Sequence, residues 1–295
     1  MNIQTINPFG VSSMTARLRK VGMRKPGPAM QQADPSVWHY GPTFDRDALE
    51  PEHASFSKLL EQAGVEIHWM DQPNEIADAV FSYDASLMTP QGAILMNPGK
   101  VMRRGEQMLH REFYAQTGIP VIGEIESPGH CEAGDTLWLK DNLLAVGRGF
   151  RSNREGLDQL DSILKTINIE VHEFDLPVYT GADACLHLMS LISLVDTRIA
   201  AVCLSLLPVG LYELLKELDY QILALPMDEY EQSGTLSGNI LAIAPGQCLM
   251  VDGYPKTLKL LETAGIDVQV YDGQALCVGC EGGPTCLTRP LLRGN

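Results

Sequence analysis

Basic and aromatic residues are both scarce in this chain of 295 residues. Lysine and arginine number 22 against 37 aspartate and glutamate, so the formal net charge is −15, and aromatic residues make up only 6%. Nucleic-acid binding without sequence preference needs a basic face, and this composition argues against it. The same acidity suits a pocket that attracts a cationic small molecule. Hydrophobic residues make up 45%, which is enough to form a full core.

A long uninterrupted hydrophobic run is also missing. The longest apolar stretch, residues 200–215, contains a proline, a glycine and a glutamate, and it is too short to cross a bilayer. The N-terminal sequence MNIQTINPFG lacks the basic patch and apolar segment of a secretory signal. We therefore expect a cytoplasmic protein that does not associate with membranes.

Cysteines are few and irregularly spaced. There are seven, an odd number, and without a secretory signal they are expected to be reduced thiols. Cys277 and Cys280 form a C-x-x-C motif, but the second pair that a zinc knuckle needs is missing, and Cys286 and the His130–Cys131 pair are the nearest further ligand types. We therefore predict no metal ion and no other cofactor.

One sequence phrase recurs five times: the end of a helix, a turn residue and a short β-branched strand. The turn residues are Gly64, Gly118, Asn168, Asp219 and Gly265, spaced 54, 50, 51 and 46 residues apart. Glycine, asparagine and aspartate tolerate the left-handed conformation at a helix C-terminus. A period near 50 residues is typical of propeller-like or solenoid architectures.

Two apolar strands around a turn lie between successive copies of this phrase. They are SLMTPQGAILMN, TLWLKDNLLAVG, HLMSLISLVDTRIAAVCLS and NILAIAPGQCLMVD, and a helical segment follows each pair, so that the repeating unit is ββαβ. A fifth hairpin is incomplete at CLTRPLLR, and the N-terminal segment TARLRKVGMRKP can supply its partner and close a ring.

The predicted fold class is therefore α/β. We expect one domain, 1–295, folded as a five-bladed α/β propeller of pseudo-fivefold ββαβ repeats around a central active-site channel. The predicted repeats are roughly 80–130, 131–180, 181–230, 231–275, and 276–295 closed by 1–79. A two-domain α/β protein with accidental periodicity is the alternative.

A polar residue or a thiol opens each of the five hairpins. These residues are Asp84, Asp135, His187, Asn239 and Cys286, separated by 51, 52, 52 and 47 residues. Taken singly, each fits a buried thiol, a core histidine, or a turn or backbone-bonding residue. Equivalent positions in a ring converge on its axis, so the shared register favours one site for nucleophilic thiol chemistry, with a base and carboxylates beside it.

Six motifs carry a family resemblance that runs from about Thr15 to the C-terminus. They are FSYDASLMTPQGAILMNPGKVMRRGE, EAGDTLWL, GRGFRSNREG, the HL at His187, SGNILAIAP and GGPTCLTRPLLR. The set resembles the guanidine-modifying, five-bladed superfamily (penteins), which includes amidinotransferases, arginine deiminases and dimethylarginine dimethylaminohydrolases. GGPTCLTRPLLR is the most specific motif, since it resembles the family segment that carries the nucleophilic cysteine.

The resemblance implies a role for each reactive residue. Cys286, as a thiolate, would attack the central carbon of a guanidinium group, and a covalent intermediate would form. His187 would protonate the departing amine and then remove a proton from water. Glu132 belongs to the same catalytic group and, with Asp84, is expected to hold the guanidinium by charged hydrogen bonds.

The resemblance also implies residues that bind the rest of the substrate. Asp78 is expected to line the pocket or its entrance. Arg103 and Arg151 are expected to bind a substrate carboxylate, and Arg104 and Arg148 are neighbours that could take their place.

Asp135 and Asn239 are expected to orient the groups around Glu132 and His187.

Several positions decide which branch of the superfamily this chain resembles most. Ala133 replaces the first glycine of the usual acidic glycine motif. Met189 stands where arginine deiminases and amidinotransferases typically have an aspartate. Dimethylarginine dimethylaminohydrolases do without that aspartate, and they also share the short chain and the aspartate at Asp78.

We therefore predict a cysteine-dependent hydrolase of a guanidino or amidino C–N bond, similar to dimethylarginine dimethylaminohydrolase. An N-methylated arginine or a related guanidino compound would yield citrulline or another ureido product and an amine. Amidino transfer and arginine deimination are the enzymatic alternatives, and a non-catalytic binding module of the same fold is the third. A small-molecule guanidino substrate is the expected partner, and the oligomeric state stays open, with a homodimer as one alternative.

Overall fold

The computed structural model describes residues 8–71, 75–181 and 186–294. Within these ranges, fifteen strands form five three-stranded sheets. The strands are β1 (Leu18–Met23), β2 (Glu66–Trp69), β3 (Ser86–Thr89), β4 (Gly92–Leu95), β5 (Val121–Glu124), β6 (Thr136–Lys140), β7 (Leu143–Arg148), β8 (Glu170–Asp175), β9 (Ile192–Asp196), β10 (Ile199–Val202), β11 (Gln221–Ala224), β12 (Leu241–Ala244), β13 (Gln247–Val251), β14 (Asp267–Tyr271) and β15 (Arg289–Arg293).

The α-helices of the described ranges vary from one turn to fourteen residues. They are α1 (Pro28–Gln31), α2 (Pro35–Trp38), α3 (Leu49–Gln62), α4 (Glu106–Thr117), α5 (Arg154–Lys165), α6 (Leu188–Leu191), α7 (Val209–Glu217), α8 (Met227–Gln232) and α9 (Pro255–Thr263). Short 3₁₀ turns lie at Ala77–Val80, Val101–Arg103, Ala133–Asp135 and Leu236–Gly238, and a π-helical turn at Gln274–Val278. Among the described residues, no helix is long and apolar enough to cross a membrane.

All five sheets share one plan, in which the middle strand is antiparallel to one neighbour and parallel to the other. Their orders are β3-β4-β5, β6-β7-β8, β9-β10-β11, β12-β13-β14 and β15-β1-β2. A parallel pair needs a crossover connection, and α4, α5, α7, α9 and α3 supply it. The predicted ββαβ repeat and five-bladed α/β propeller are confirmed, and β15 with β1 closes the ring as expected.

The recurring turn residues have the backbone conformation that their residue types predict. Gly64, Gly118, Asn168, Asp219 and Gly265 have φ angles of 80°, 72°, 59°, 57° and 84°. Each one follows the connecting helix and precedes the parallel strand, where a left-handed residue ends the helix. The repeat in the sequence is therefore a repeat of this helix-to-strand turn.

The third hairpin differs from the prediction at its start. The one-turn helix α6 lies between His187 and β9, so His187 does not open a strand directly. The turn is stabilised by the backbone N–H of His187, which donates to Ser190 Oγ at 3.1 Å.

Burial shows which side of each blade faces the axis. The strands β3 and β12 are buried at every position, whereas the outer strands β2, β5 and β8 are partly exposed throughout. The first strands of neighbouring blades also contact one another, β9 with β12 and β3 with β15, so the first strand of a blade lies innermost. The single-domain assignment stays a prediction.

Candidate active site

Six of the predicted site residues surround one pocket of about 270 Å³. They are Asp78, Asp84, Arg103, Arg151, His187 and Cys286. Glu132 and Asn239 contact His187 and Cys286 from behind the pocket wall, and Asp135 contacts Leu188 next to His187. The structure thus brings together side chains from all five blades, which is what the shared register predicts.

Glu132 is the most heavily bonded group of the site, and it is completely buried. Its Oε2 accepts from Nε2 of His187 at 2.7 Å and from Nη2 of Arg151 at 2.7 Å. Its Oε1 accepts from Nε of Arg151 at 3.0 Å and from the backbone N–H groups of Gly99 and Lys100. Burial acts to raise the pKa of Glu132, but Arg151 and His187 outweigh it and lower the pKa. These contacts favour Glu132 as the residue that orients His187, rather than as a direct guanidinium ligand.

Asp84 lies beside His187 and is also ionised. Its Oδ1 accepts from the backbone N–H of Gly134 at 2.9 Å, and its Oδ2 accepts from Nη1 of Arg103 at 2.5 Å. Burial acts to raise the pKa of Asp84, but the charges of His187 and Arg103 outweigh it, so the pKa is lowered. A Cβ atom at Gly134 would lie 2.7 Å from Asp84 Oδ1 and 2.8 Å from the His187 ring, so only glycine fits there.

Arg103 is held in place by a carboxylate that the sequence analysis missed. Its Nε and Nη2 donate to the two oxygens of Glu106, both at 2.8 Å, and Nη2 also donates to the carbonyl of Phe81. Burial raises the pKa of Glu106 to about 7. Arg103 is thus already bound by Glu106 and Asp84 where it meets the pocket. The i, i+3 spacing of Arg103 and Glu106 in MRRGE was the available signal.

An ion pair between Lys100 and Asp78 lies at the more exposed side of the pocket. Lys100 Nζ is 2.7 Å from Asp78 Oδ2, and the hydroxyl of Tyr40 donates to Asp78 Oδ1 at 2.8 Å. The ammonium group also lies over the ring of Trp38, 5.6 Å from its centroid. The Lys100 side chain is 26% exposed. Sequence reasoning placed Asp78 here but missed Lys100.

Asn239 contacts the thiol of Cys286 rather than Glu132 or His187. Its Nδ2 donates to Cys286 Sγ at 3.2 Å, and its Oδ1 accepts from the backbone N–H of Thr285 at 3.1 Å. A Cβ atom at Gly283 would lie 2.4 Å from Asn239 Cγ, so this glycine permits the contact. Of the six cysteines among the described residues, Cys286 alone is partly exposed.

Asp135 connects the segments that carry Glu132 and His187. Its Oδ1 accepts from the backbone N–H of Leu188, next to His187, at 2.9 Å. Its Oδ2 accepts from Ser152 Oγ at 2.5 Å, and Ser152 Oγ in turn accepts from the backbone N–H of Glu132. The role expected of Asp135 therefore fits these contacts.

Stability is expected to depend on pH through Asp135. Burial raises its pKa to about 6 against an ordinary value of 3.8, so its contribution to the free energy of unfolding is largest below pH 3.8 and is lost as pH rises through 6. Asp135→Asn cannot ionise; its Oδ1 can still accept from the backbone N–H of Leu188, and its Nδ2 can donate to Ser152 Oγ in place of the hydrogen bond that Oδ2 of Asp135 accepts. Between pH 5 and pH 8, the variant should gain about 1–3 kcal/mol relative to wild type.

Thermal unfolding at the two pH values measures this gain. The control variant is Asp267→Asn, since Asp267 is exposed at the start of β14 and accepts no side-chain hydrogen bond among the described residues. A difference between Asp135→Asn and wild type that does not change with pH would contradict the prediction.

One cluster of the described residues has the composition of a metal site. Asp84, Glu132 and His187 each offer an atom within 4.8 Å of the others. An ion at this position would have to displace Arg103 from Asp84 and Arg151 from Glu132. These two arginines already supply the positive charge that the carboxylates need, so the arrangement does not favour a resident metal ion.

A sequence model described as "N,N dimethylarginine dimethylhydrolase, eukaryotic" matches residues 43–252 of this chain. The chain belongs to this dimethylarginine dimethylhydrolase family. It is 27% identical over 254 residues to N(G),N(G)-dimethylarginine dimethylaminohydrolase of Pseudomonas aeruginosa, covering 85% of this chain and 91% of that protein. It is 26% identical over 270 residues to the enzyme of the same name from Streptomyces coelicolor, covering 89% and 95%.

Solved structures give the same fold. A dimethylarginine dimethylaminohydrolase from Pseudomonas aeruginosa, a cysteine-to-serine mutant in complex with citrulline, aligns with a TM-score of 0.75 and 22% identity over 92% of this chain and 99% of that one. An amidinotransferase from Microseira wollei aligns with a TM-score of 0.78 and 16% identity over 98% of both chains. The predicted pentein superfamily and its dimethylarginine dimethylhydrolase branch are confirmed, and the family is one of guanidino-modifying hydrolases.

Proposed function

We propose that this protein hydrolyses a guanidino C–N bond of an N-methylated arginine, or of a related guanidino compound, through a covalent intermediate on Cys286. The observation that carries the proposal is the pocket itself. It places a partly exposed thiol, a histidine bound to a buried carboxylate, and the ionised Asp84 around one space of about 270 Å³. Nucleophilic attack on a planar guanidinium cation needs these three groups.

The first half of the proposed reaction forms a C–S bond and breaks a C–N bond. Asp84 binds the guanidinium and keeps it charged, which makes its central carbon electrophilic. The thiolate of Cys286 adds to that carbon, and Asn239 Nδ2 stabilises the sulfur by a hydrogen bond. His187, oriented by Glu132, gives its proton to the departing amine.

The second half restores the enzyme. The neutral imidazole of His187 removes a proton from water, and the hydroxide adds to the same carbon. The C–S bond breaks, Cys286 leaves as a thiolate, and the added hydroxyl group passes its proton to the released amine through solvent, which leaves a neutral ureido product. His187 is then protonated again, and the cycle is balanced without a cofactor.

The groups that could bind the amino-acid end of the substrate already form ion pairs within the protein. Arg103 and Arg151 each bind a buried carboxylate, whereas Lys100 is partly exposed and its one carboxylate partner among the described residues is Asp78. The zwitterionic end of an amino acid carries the same two charges as this pair. We therefore propose that the substrate carboxylate replaces Asp78 at Lys100, and that the substrate ammonium replaces Lys100 at Asp78.

Three arginine-like compounds test both parts of the proposal: N-methylated arginine, its decarboxylated amine and its deaminated acid. Wild type should release a ureido product and an amine, with the highest kcat/KM for the full amino acid. Lys100→Met should lower kcat/KM by about 10- to 100-fold for the two compounds that carry a carboxylate, and little for the decarboxylated amine.

The matched control is Lys25→Met, because Lys25 lies over Trp69 and does not line the active-site pocket. An equal loss by Lys100→Met on all three compounds would contradict the role given to Lys100. The absence of any ureido product with wild type would contradict the proposed function itself.

Amidino transfer is the second candidate, because its first half-reaction is identical and the fold is shared with an amidinotransferase. Adding an amine acceptor to the same assay distinguishes hydrolysis from amidino transfer. A transferase would convert the acceptor into a new guanidino compound and would form little ureido product. Cytoplasmic location, the absence of nucleic-acid and membrane partners, and a homodimer remain predictions.

A further inference from the structure

A second cavity lies behind the active-site pocket. Four of the residues that line it are close sequence neighbours of predicted site residues: Tyr83 of Asp84, Met189 of His187, Ile240 of Asn239 and Thr285 of Cys286. None of those four site residues lines this cavity. Three of these segments line both spaces: Tyr83, Met189 and Thr285 line the cavity, while Asp84, His187 and Cys286 line the active-site pocket.

Two arginines of β15 line this cavity. Arg289 is 1% exposed and Arg293 is 8% exposed. Arg289 Nη1 donates to the carbonyls of Tyr83 and Ser86, and its guanidinium lies 4.1 Å from the centroid of the Tyr83 ring. Arg293 Nη1 donates to the carbonyl of Ala16 at 2.8 Å.

No carboxylate of residues 8–71, 75–181 or 186–294 forms an ion pair with either arginine. Burial lowers the pKa of Arg293 to about 10, and the nearby charge of Arg289 lowers it as well. Buried charges in proteins are usually paired. Two neighbouring positive charges that have no acidic partner in the described part of the chain call for a negative group.

Two buried polar atoms on the cavity wall also have no partner within the described part of the chain. They are Arg289 Nε and Thr285 Oγ1. Both are hydrogen-bond donors, and both belong to residues that line this cavity. A water molecule would satisfy these donors but would leave the two charges uncompensated, whereas an anion satisfies both requirements.

The size of the cavity limits which anion it accepts. The space open to the centre of a water-sized particle is about 10 Å³, so a single monatomic ion somewhat larger than water fits. Phosphate, sulfate and carboxylate groups are too large. We infer that the cavity binds a monatomic anion of the halide class, chloride in ordinary solutions, between Arg289, Arg293 and Thr285. The anion lies behind the Thr285–Cys286 peptide, so its charge contributes to the potential at the thiol.

Bromide substitution tests this inference on the wild-type chain without any substrate. Crystals grown or soaked in about 0.5 M sodium bromide are measured at the bromine absorption edge. The expected result is an anomalous peak within hydrogen-bond distance of Arg289 Nε and Thr285 Oγ1. Peaks confined to the protein surface, or ordinary water density at this position, would overturn the inference.

Thermal unfolding provides the solution measurement. Replacing sodium gluconate by sodium chloride at constant ionic strength should raise the Tm of wild type by about 3–5 °C. Arg293→Met should lose this rise, while Arg154→Met, at an exposed arginine of α5, should keep it. A bromide peak without any chloride dependence of Tm would indicate an adventitious ion only and would also overturn the inference. Neither measurement depends on the reaction at Cys286.

Discussion

Replacing Cys286 by serine is expected to lower turnover of the guanidino substrate by at least about 1,000-fold. A serine hydroxyl is far less acidic than a thiol, so it would not supply the anionic nucleophile that attacks the guanidinium carbon. Asn239 can still donate a hydrogen bond to the serine oxygen, so the fold and the pocket should persist. Formation of the ureido product, with circular dichroism as the check on folding, measures the effect.

Cys280→Ser is the matched control for this substitution. Cys280 lines the same pocket, but it is buried, and burial raises the pKa of its thiol. It should therefore be a poor nucleophile, and its serine variant should keep activity within about 3-fold of wild type. Alkylation adds an independent readout, because Cys286 should react faster than the five buried cysteines of the described residues. Comparable losses in the two serine variants would contradict the assignment of Cys286 as the nucleophile.

Glu132→Gln is expected to lower kcat by about 100- to 1,000-fold, with a smaller change in KM. The amide can still accept one hydrogen bond from His187, but it lacks the charge that stabilises the protonated imidazole and pairs with Arg151. His187 would then be protonated over a narrower pH range. The alkaline limb of the pH–rate profile should therefore move to lower pH.

A matched glutamate on the protein surface provides the control. Glu124 pairs with Arg111, and both side chains are at least 32% exposed, so Glu124→Gln should leave kcat and the pH profile unchanged. The pH profile separates the two explanations of a lower rate. A loss of kcat by Glu132→Gln with an unmoved alkaline limb would indicate a purely structural role for Glu132.

The fold was predictable from the sequence because it is built from a local signal that repeats. Gly64, Gly118, Asn168, Asp219 and Gly265 are residue types that end a helix in the left-handed conformation, and all five do so here. Because a hairpin lies between consecutive helix-to-strand turns, the spacing of these turns was enough to predict the extent of each blade. His187 departs from the pattern because the one-turn helix α6, bonded to Asp135, precedes its strand.

The candidate site was predictable as a set of residues but not as a set of contacts. The register brought Asp84, His187 and Cys286 to one pocket. Which charge pairs with which depends on where separate blades place their side chains, and residue spacing does not contain that information. The pairing of Arg103 with Glu106 and the contact of Asn239 with the thiol appear only in the folded chain.

The covalent intermediate is the central claim, and intact-protein mass spectrometry tests it most directly. His187→Gly removes the acid that protonates the departing amine and the base that would activate water, so the variant is given an S-alkyl isothioureido analogue of arginine, whose thiolate leaves without a proton. The account predicts that the adduct accumulates on Cys286 with a mass increase equal to the analogue minus the departed thiol, and that it is lost in the double variant that also carries Cys286→Ser. An adduct that persists without Cys286, or no adduct on the His187→Gly variant with this analogue, would contradict it.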